Sequence, residues 1–231
     1  MMSKICAFIF ALLLLSSAPC FGQAQQYRGV APAQKPKSEA PKEPFFQGAS
    51  ASFDVCGAVM AAFTPYGQFE GAVRANLKNA FFPIVEVGLG VSDHSNEESN
   101  LHYKVHSPYF RLGMDYNMLR KEHTGNRVFV GARYGFSFFK YDLSGPDIED
   151  PVYGDIVPFS YSGLSGNAHW AEAVFGVEAK VWKFFHLGWT FRYKFRIHEK
   201  EAATGHAWYI PGYGKSDGHC LGGTFNIIFD I

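Results

Sequence analysis

Every second residue from 185 to 197 is apolar: Phe185, Leu187, Trp189, Phe191, Tyr193, Phe195 and Ile197 alternate with His186, Gly188, Thr190, Arg192, Lys194 and Arg196. A period of two puts the two sets on opposite faces of a strand, which no helix does. Residues 109–118 repeat the pattern, with Phe110, Leu112, Met114, Tyr116 and Met118 set against Arg111, Gly113, Asp115 and Asn117. In the last segment Leu221, Phe225, Ile227, Phe229 and Ile231 oppose Thr224, Asn226 and Asp230. The same period marks eight segments: residues 51–60, 69–77, 82–92, 109–118, 127–141, 170–182, 184–197 and 221–231. Beyond the N-terminal leader no apolar run reaches ~18 residues, so the sequence predicts no membrane-crossing helix.

Alternation alone also suits a soluble barrel or sandwich with its apolar face buried. The glycines decide between them. Gly88, Gly90, Gly113, Gly131, Gly135, Gly176, Gly188 and Gly222 all fall on the polar face. Eight strands close into a barrel only just wide enough for side chains, so the crowded face needs small residues. The polar face is thereby assigned to the inside, and the large aromatics to an outside that only lipid tolerates. A lipocalin-like soluble barrel inverts both trends. Connections point the same way: residues 93–108, 142–169 and 198–220 are long and polar, whereas 78–81, 119–126 and 183 are short. Long outside loops with tight periplasmic turns characterise outer-membrane barrels, and an even strand count puts both termini in the periplasm. The predicted fold is all-β, an eight-stranded antiparallel up-and-down transmembrane β-barrel over residues 49–231, integral to the cell outer membrane.

The N-terminus fits that destination. Lys4 precedes an apolar run from Ile5 to Leu15, too short for the ~20 residues of a spanning helix, and small and polar residues follow. Residues 1–22 read as a secretory signal cleaved after Gly22. Cys20 as a lipoprotein acceptor is disfavoured by Pro19, which stands where such sites need a small residue. Residues 23–48, with proline, alanine, glutamine and lysine and no apolar period, read as a disordered periplasmic lead-in.

Balanced charge, 21 Lys+Arg against 21 Asp+Glu, gives no basic excess for a nucleic-acid backbone. Sorted by strand parity, the interior carries Asp54, Glu70, Glu86, Asp115, Glu172, Glu178 and Asp230 against Arg74, Arg111, Arg127, Arg133, Lys180, Arg192, Lys194 and Arg196. Buried charges need partners, and an ion-selective pore shows a surplus of one sign. The balance predicts a plugged interior of ion pairs, with Glu172 across from Lys194 or Arg196 and Lys180 near His186. A narrow pore is the alternative.

Cys56 and Cys220 fall on the first and last segments with inward parity, at similar depth. They are a candidate cross-strand disulfide in an oxidising compartment, although strict disulfide geometry favours two free thiols. Proline-stiffened aromatic loops offer interaction candidates: Tyr153, Phe159 and Tyr161 in one, Trp208, Tyr209 and Tyr213 in another. The alternative role for those rings is to cap the barrel or meet lipid headgroups. His94, Glu97, Glu98, His102 and His106 are metal-ligating types, but polar outside loops have this composition without a metal. Gly212, Gly214, Lys215 and Ser216 superficially match a phosphate loop, yet Tyr209 stands where the pattern requires glycine. His94 with Ser95 and His106 with Ser107 are the neighbouring pairs for a lipid-modifying enzyme, with no third member at an arguable spacing. No catalytic, metal or cofactor site is therefore assigned.

NLKNAFFPIVEVG (76–88), HSPYFRLGMDYN (106–117), YDLSGPDIEDPVYG (141–154), HWAEAVFGVEAKVW (169–182), HLGWTFRYKFR (186–196), WYIPGYGK (208–215) and TFNIIFDI (224–231) resemble an uncharacterised domain-of-unknown-function family of small outer-membrane β-barrel proteins from Bacteroides-like bacteria. The resemblance implies an outer-membrane barrel and brings no activity, ligand or catalytic residue. It implies outer-membrane lipids, lipopolysaccharide and the barrel-assembly machinery as partners; Ile231 ends the chain where an aromatic export signal is common, leaving Phe229 to serve. The expected role is structural, anchoring or surface-interacting through the outside loops, as a monomer with no identified extracellular partner.

Overall fold

The computed structural model describes residues 44–97, 99–120, 125–149, 154–200, 205–215 and 217–231. The targeting segment, the lead-in before residue 44, and Glu98, Tyr153 and Ser216 lie outside them. Eight long strands dominate: β1 (Phe46–Asp54), β2 (Tyr66–Leu77), β3 (Phe81–Asn96), β4 (Leu101–Asn117), β5 (Arg127–Ser144), β8 (Ser160–Trp182), β9 (Phe185–Glu199) and β12 (His219–Asp230). Two short ribbons, β6 (Ile148–Glu149) with β7 (Ile156–Val157) and β10 (Tyr209–Ile210) with β11 (Gly214–Lys215), sit in the longer connections, and one helix, α1 (Val55–Phe63), follows β1. The long strands pair antiparallel in the order β1-β12-β9-β8-β5-β4-β3-β2, and β1 pairs with both β12 and β2, closing the sheet. No helix among the described residues is long and apolar enough to cross a membrane.

The first segment differs from its sequence reading. The strand is Phe46–Asp54, and residues 55–60, read as strand, begin a helix instead. Asp54 is the cause. Its backbone is still extended while its carboxylate accepts hydrogen bonds from the amides of Cys56 (3.0 Å) and Gly57 (3.1 Å), an N-cap that starts a helix in the small, apolar run VCGAVMAAF. The strand shifts toward the N-terminus and takes residues 46–48 out of the lead-in.

Several strands also outrun their segments. β3 and β4 continue to a tip between Asn96 and Leu101, and β8 starts at Ser160, so much of the sequence assigned to long loops is strand. Burial still alternates there, through Tyr103, Val105 and Ser107. Polar and apolar residues share the inner face in that region, which hides the period from a hydrophobicity pattern.

Outward positions are apolar and exposed, Leu112, Trp189 and Phe191 among them. Not every large ring points outward, however. Tyr109, Phe129 and Trp170 are buried on the inside, and the inward glycines make their seats. A Cβ on Gly88 would lie 2.3 Å from the Tyr109 ring, one on Gly176 2.3 Å from Phe129, and one on Gly135 2.2 Å from Trp170. Gly135→Val is therefore expected to destabilise the barrel by about 1–3 kcal/mol through overpacking. Urea unfolding of the refolded protein checks this, and an unchanged midpoint would remove the seat assignment.

Candidate functional site

Inward parity brings side chains from six strands to one level of the barrel. Glu70 comes from β2, Glu86 from β3, Arg111 and Asp115 from β4, Arg133 from β5, Glu172 from β8, and Arg192 and Lys194 from β9; all are buried. Register sets the neighbours, with Glu86 opposite Arg111, Arg133 opposite Glu172 and Glu172 opposite Lys194. Arg111 contacts Glu70, Glu86 (3.3 Å) and Glu172 (2.8 Å). Arg192 contacts Glu70 (2.8 Å), Glu86 (2.6 Å) and Glu172 (3.5 Å). Arg133 meets Glu86 at 3.0 Å and grips Asp115 with two guanidinium nitrogens at 2.7 and 2.8 Å. Two rings complete the shell: the Tyr109 hydroxyl donates to Glu70 (2.7 Å) and the Trp170 indole to Glu172 (2.6 Å). Such shared, charge-assisted bonds are the condition under which buried charges are tolerated.

A second layer lies toward the short-turn end. Glu178 takes Arg74 and Arg127, each at 2.6 Å, and His186 lies 3.2 Å from Glu178 and 2.9 Å from Asp230. A void of about 30 Å³, lined in part by Glu70, Arg74, Glu86 and Arg133, separates the layers. That is room for about one water.

The long-loop end is filled from above. The β10–β11 ribbon turns into the barrel, burying Tyr209, Ile210, Pro211 and Tyr213 against Tyr103, Val105, Tyr109, Phe139, Tyr141 and Trp170. Gly212 is needed at the tip: its φ is +79°, and a Cβ there would lie 2.4 Å from the Tyr109 ring. Its carbonyl accepts from Arg111 (2.6 Å) and Lys194 (2.8 Å), and Lys194 also donates to the Tyr213 carbonyl (3.0 Å). The Tyr103 hydroxyl donates to the Tyr209 carbonyl (2.8 Å). The charge layer thus holds the plug by its backbone.

Three residues assigned to the interior lie at its edges. Lys180 is opposite His186 but exposed at the short-turn end, where its side chain lies beside Gly125. Arg196 pairs with Glu199 at 2.6 Å near the long-loop end, and the Asp230 side chain is 34% exposed. Of the loop rings, Tyr209 and Tyr213 are buried in the plug, and Trp208 stacks on His94 at 4.4 Å; Tyr161 is exposed and packs edge-on against Phe159 at 5.3 Å. Cys56 and Cys220 are both free thiols; Cys56 sits on α1, off the strand that a cross-strand bridge would need.

Among the described residues no three or more His, Cys, Asp or Glu side chains converge on a metal position. The β3–β4 hairpin splits sequence neighbours onto opposite faces and joins Ser95 with His102 instead (2.8 Å), an exposed cross-strand contact with Asp93 3.5 Å from the imidazole. Sequence reading left the 208–213 rings between an outward surface and a cap on the barrel, and missed the helix. Pro211-Gly212 and Asp54 before the run VCGAVMAAF were their local signals.

The family described as Domain of unknown function (DUF6048) matches residues 2–231. No curated protein matches the chain. Among solved structures it is similar to the crystal structure of Acinetobacter baumannii CarO2, at 14% identity and a TM-score of 0.42, covering 81% of this chain and 99% of that one.

Proposed function

The chain belongs to the family Domain of unknown function (DUF6048), and we propose that it is an integral outer-membrane β-barrel, closed to conduction, with a structural, anchoring or surface-interacting role at its long-loop end. One observation carries the membrane reading: the outward face is a continuous belt of exposed apolar and aromatic side chains. At the short-turn end Phe81 packs with Tyr116 (5.4 Å), and Phe229 with Phe184 (6.4 Å) and Phe185 (5.6 Å). Farther along, Tyr134, Phe136 and Phe138 surround His169. Val85, Leu112, Met114, Val130, Phe175 and Phe191 face out along the same belt. Val130 stands opposite Tyr116, and the strand from there to Phe138 rises about 20 Å at ~3.3 Å per residue and a ~40° tilt. That approaches the ~25 Å band of outer-membrane barrels.

With lipid outside, both termini are periplasmic, and Phe229 serves recognition by the assembly machinery. Two charge layers and a packed loop support a plugged interior. Surface interaction then falls to the β5–β8 connection, where Ile148, Ile156, Val157 and Tyr161 are exposed. Fractionation tests the location: the protein is expected with the outer membrane, with a heat-dependent gel shift, and recovery in soluble periplasm would overturn the reading. In planar bilayers the purified barrel is expected to show no stable conductance, and sustained ion current would replace the plug with a pore.

A further inference from the structure

The wall has a break that the helix only partly fills. β1 pairs with β12 only from Ser50 opposite Asp230 to Asp54 opposite Asn226, and β2 pairs with β1 only up to Gly71. Farther out, β12 runs on to His219 beside β9 alone, and β2 to Tyr66 beside β3 alone. Helix α1 lies in the gap and leans on β2: a Cβ on Gly67 would sit 2.3 Å from the Ala61 backbone, and one on Gly57 2.6 Å from Gln68. On the other edge, a Cβ on Gly222 would meet only Lys194 and one on Gly223 only the Thr190 carbonyl. A slot remains between α1 and β12.

This slot is a cavity of about 350 Å³, the size of small-molecule sites, lined by Met60, Tyr66, Trp208, Tyr213 and Leu221 around the two glycines. Outward Leu221 and inward Gly222 and Thr224 all line it, so it passes through the wall. Its mouth is apolar: among its lining residues Leu221 is 79% exposed and Met60, on the helix, 37%. Lys194 lies at its inner end. Of the three ammonium donors, two reach the Gly212 and Tyr213 carbonyls, and among the described residues Lys194 forms no ion pair with a carboxylate. Arg111, Arg133 and Arg192, beside it, all do. Glu172, opposite Lys194 in the register, spends its direct contacts on Arg111, Arg192 and Trp170, so a buried ammonium with no direct carboxylate contact stands at the end of an apolar slot and suits a small anionic group on an apolar tail.

We propose that the slot binds a single-chain amphiphile with a carboxylate head, of the long-chain fatty-acid type, entering sideways from the bilayer. The carboxylate meets Lys194, Gly222 leaves room for its planar group, and the tail runs past Met60 and Leu221 into lipid. The proposal rests on the membrane reading above, and the test separates the two.

The mature chain, refolded into neutral phosphatidylcholine nanodiscs, is titrated with spin-labelled stearate and with its methyl ester. A motionally restricted signal is expected for the acid, saturating at a single site per chain, and not for the ester. Lys194→Met is expected to weaken it by roughly tenfold to a hundredfold, the scale of one charge-assisted hydrogen bond. Gly223→Trp, whose outward-facing indole covers the slot's mouth without touching the lysine, is expected to abolish it. Equal restriction of acid and ester, or wild-type restriction in either variant that keeps its heat-dependent gel shift, overturns the site while the barrel stands. Should Lys194→Met lose that shift, Gly223→Trp decides. A wild-type chain that never enters nanodiscs overturns the membrane reading, and the slot with it.

Discussion

Arg111→Met is expected to cost the barrel about 3–5 kcal/mol, the penalty for removing one partner of a buried ion pair. Arg111 is fully buried and touches three carboxylates, Glu70, Glu86 and Glu172. Methionine fills much of the volume but leaves those acids with less positive charge than they need. The same substitution strips a donor from the Gly212 carbonyl and a cation from the Tyr109 ring, 4.6 Å away, so the plug loosens as well. Against a typical total of ~5–15 kcal/mol, that is a large share of the stability. Urea unfolding in lipid vesicles, followed by tryptophan fluorescence, measures it. The exposed Lys140→Met is the control, expected within about 0.5 kcal/mol. If Arg111→Met matched that control, the interior network would not be what holds these strands together.

Leu112→Arg is expected to cost about 2–4 kcal/mol, the price of an arginine near the midplane of an outer-membrane barrel. Leu112 is 51% exposed and lies in the apolar band, opposite Val85 and Tyr134. The sign of the argument depends on the solvent. In water an arginine at a half-exposed strand position is nearly neutral; in hydrocarbon it must snorkel or draw water inward. Ser95→Arg, at the exposed hairpin tip beyond the band, is expected to be silent in either solvent. A neutral Leu112→Arg in vesicles would argue that the belt faces water.

Much of the strand pattern was legible because alternation is local. The face assignment of 184–197 needs only neighbouring residues, and Arg192 and Lys194 inside with Trp189 and Phe191 outside follows from it. That Glu172 faces Lys194 or Arg196 was legible too, since a one-residue link between segments leaves little freedom of register, and the pairing chooses Lys194. Residues 55–60 were not. Their apolar content reads as strand until the Asp54 carboxylate, capping Cys56 and Gly57, turns them into helix. The loop holding Tyr209 and Tyr213 looked like an outward surface for the same reason that it is a plug, being aromatic and stiffened by Pro211; composition does not say which side it packs on.

The sequence by itself determined the strand class, the inner and outer faces and the balance of interior charge, because each depends on a period of two and on where glycine replaces a side chain. Tertiary structure alone decided which acid meets which base, that β10 and β11 turn inward, and that Lys194 is held by carbonyl oxygens. Those depend on strands far apart in the chain reaching one level of a closed sheet, where register and the space left by Gly88 and Gly135 set the contacts. The break beside β12 has the same origin: β1 ends where Asp54 caps a helix, and only the closure of the barrel turns that local choice into a slot in its wall.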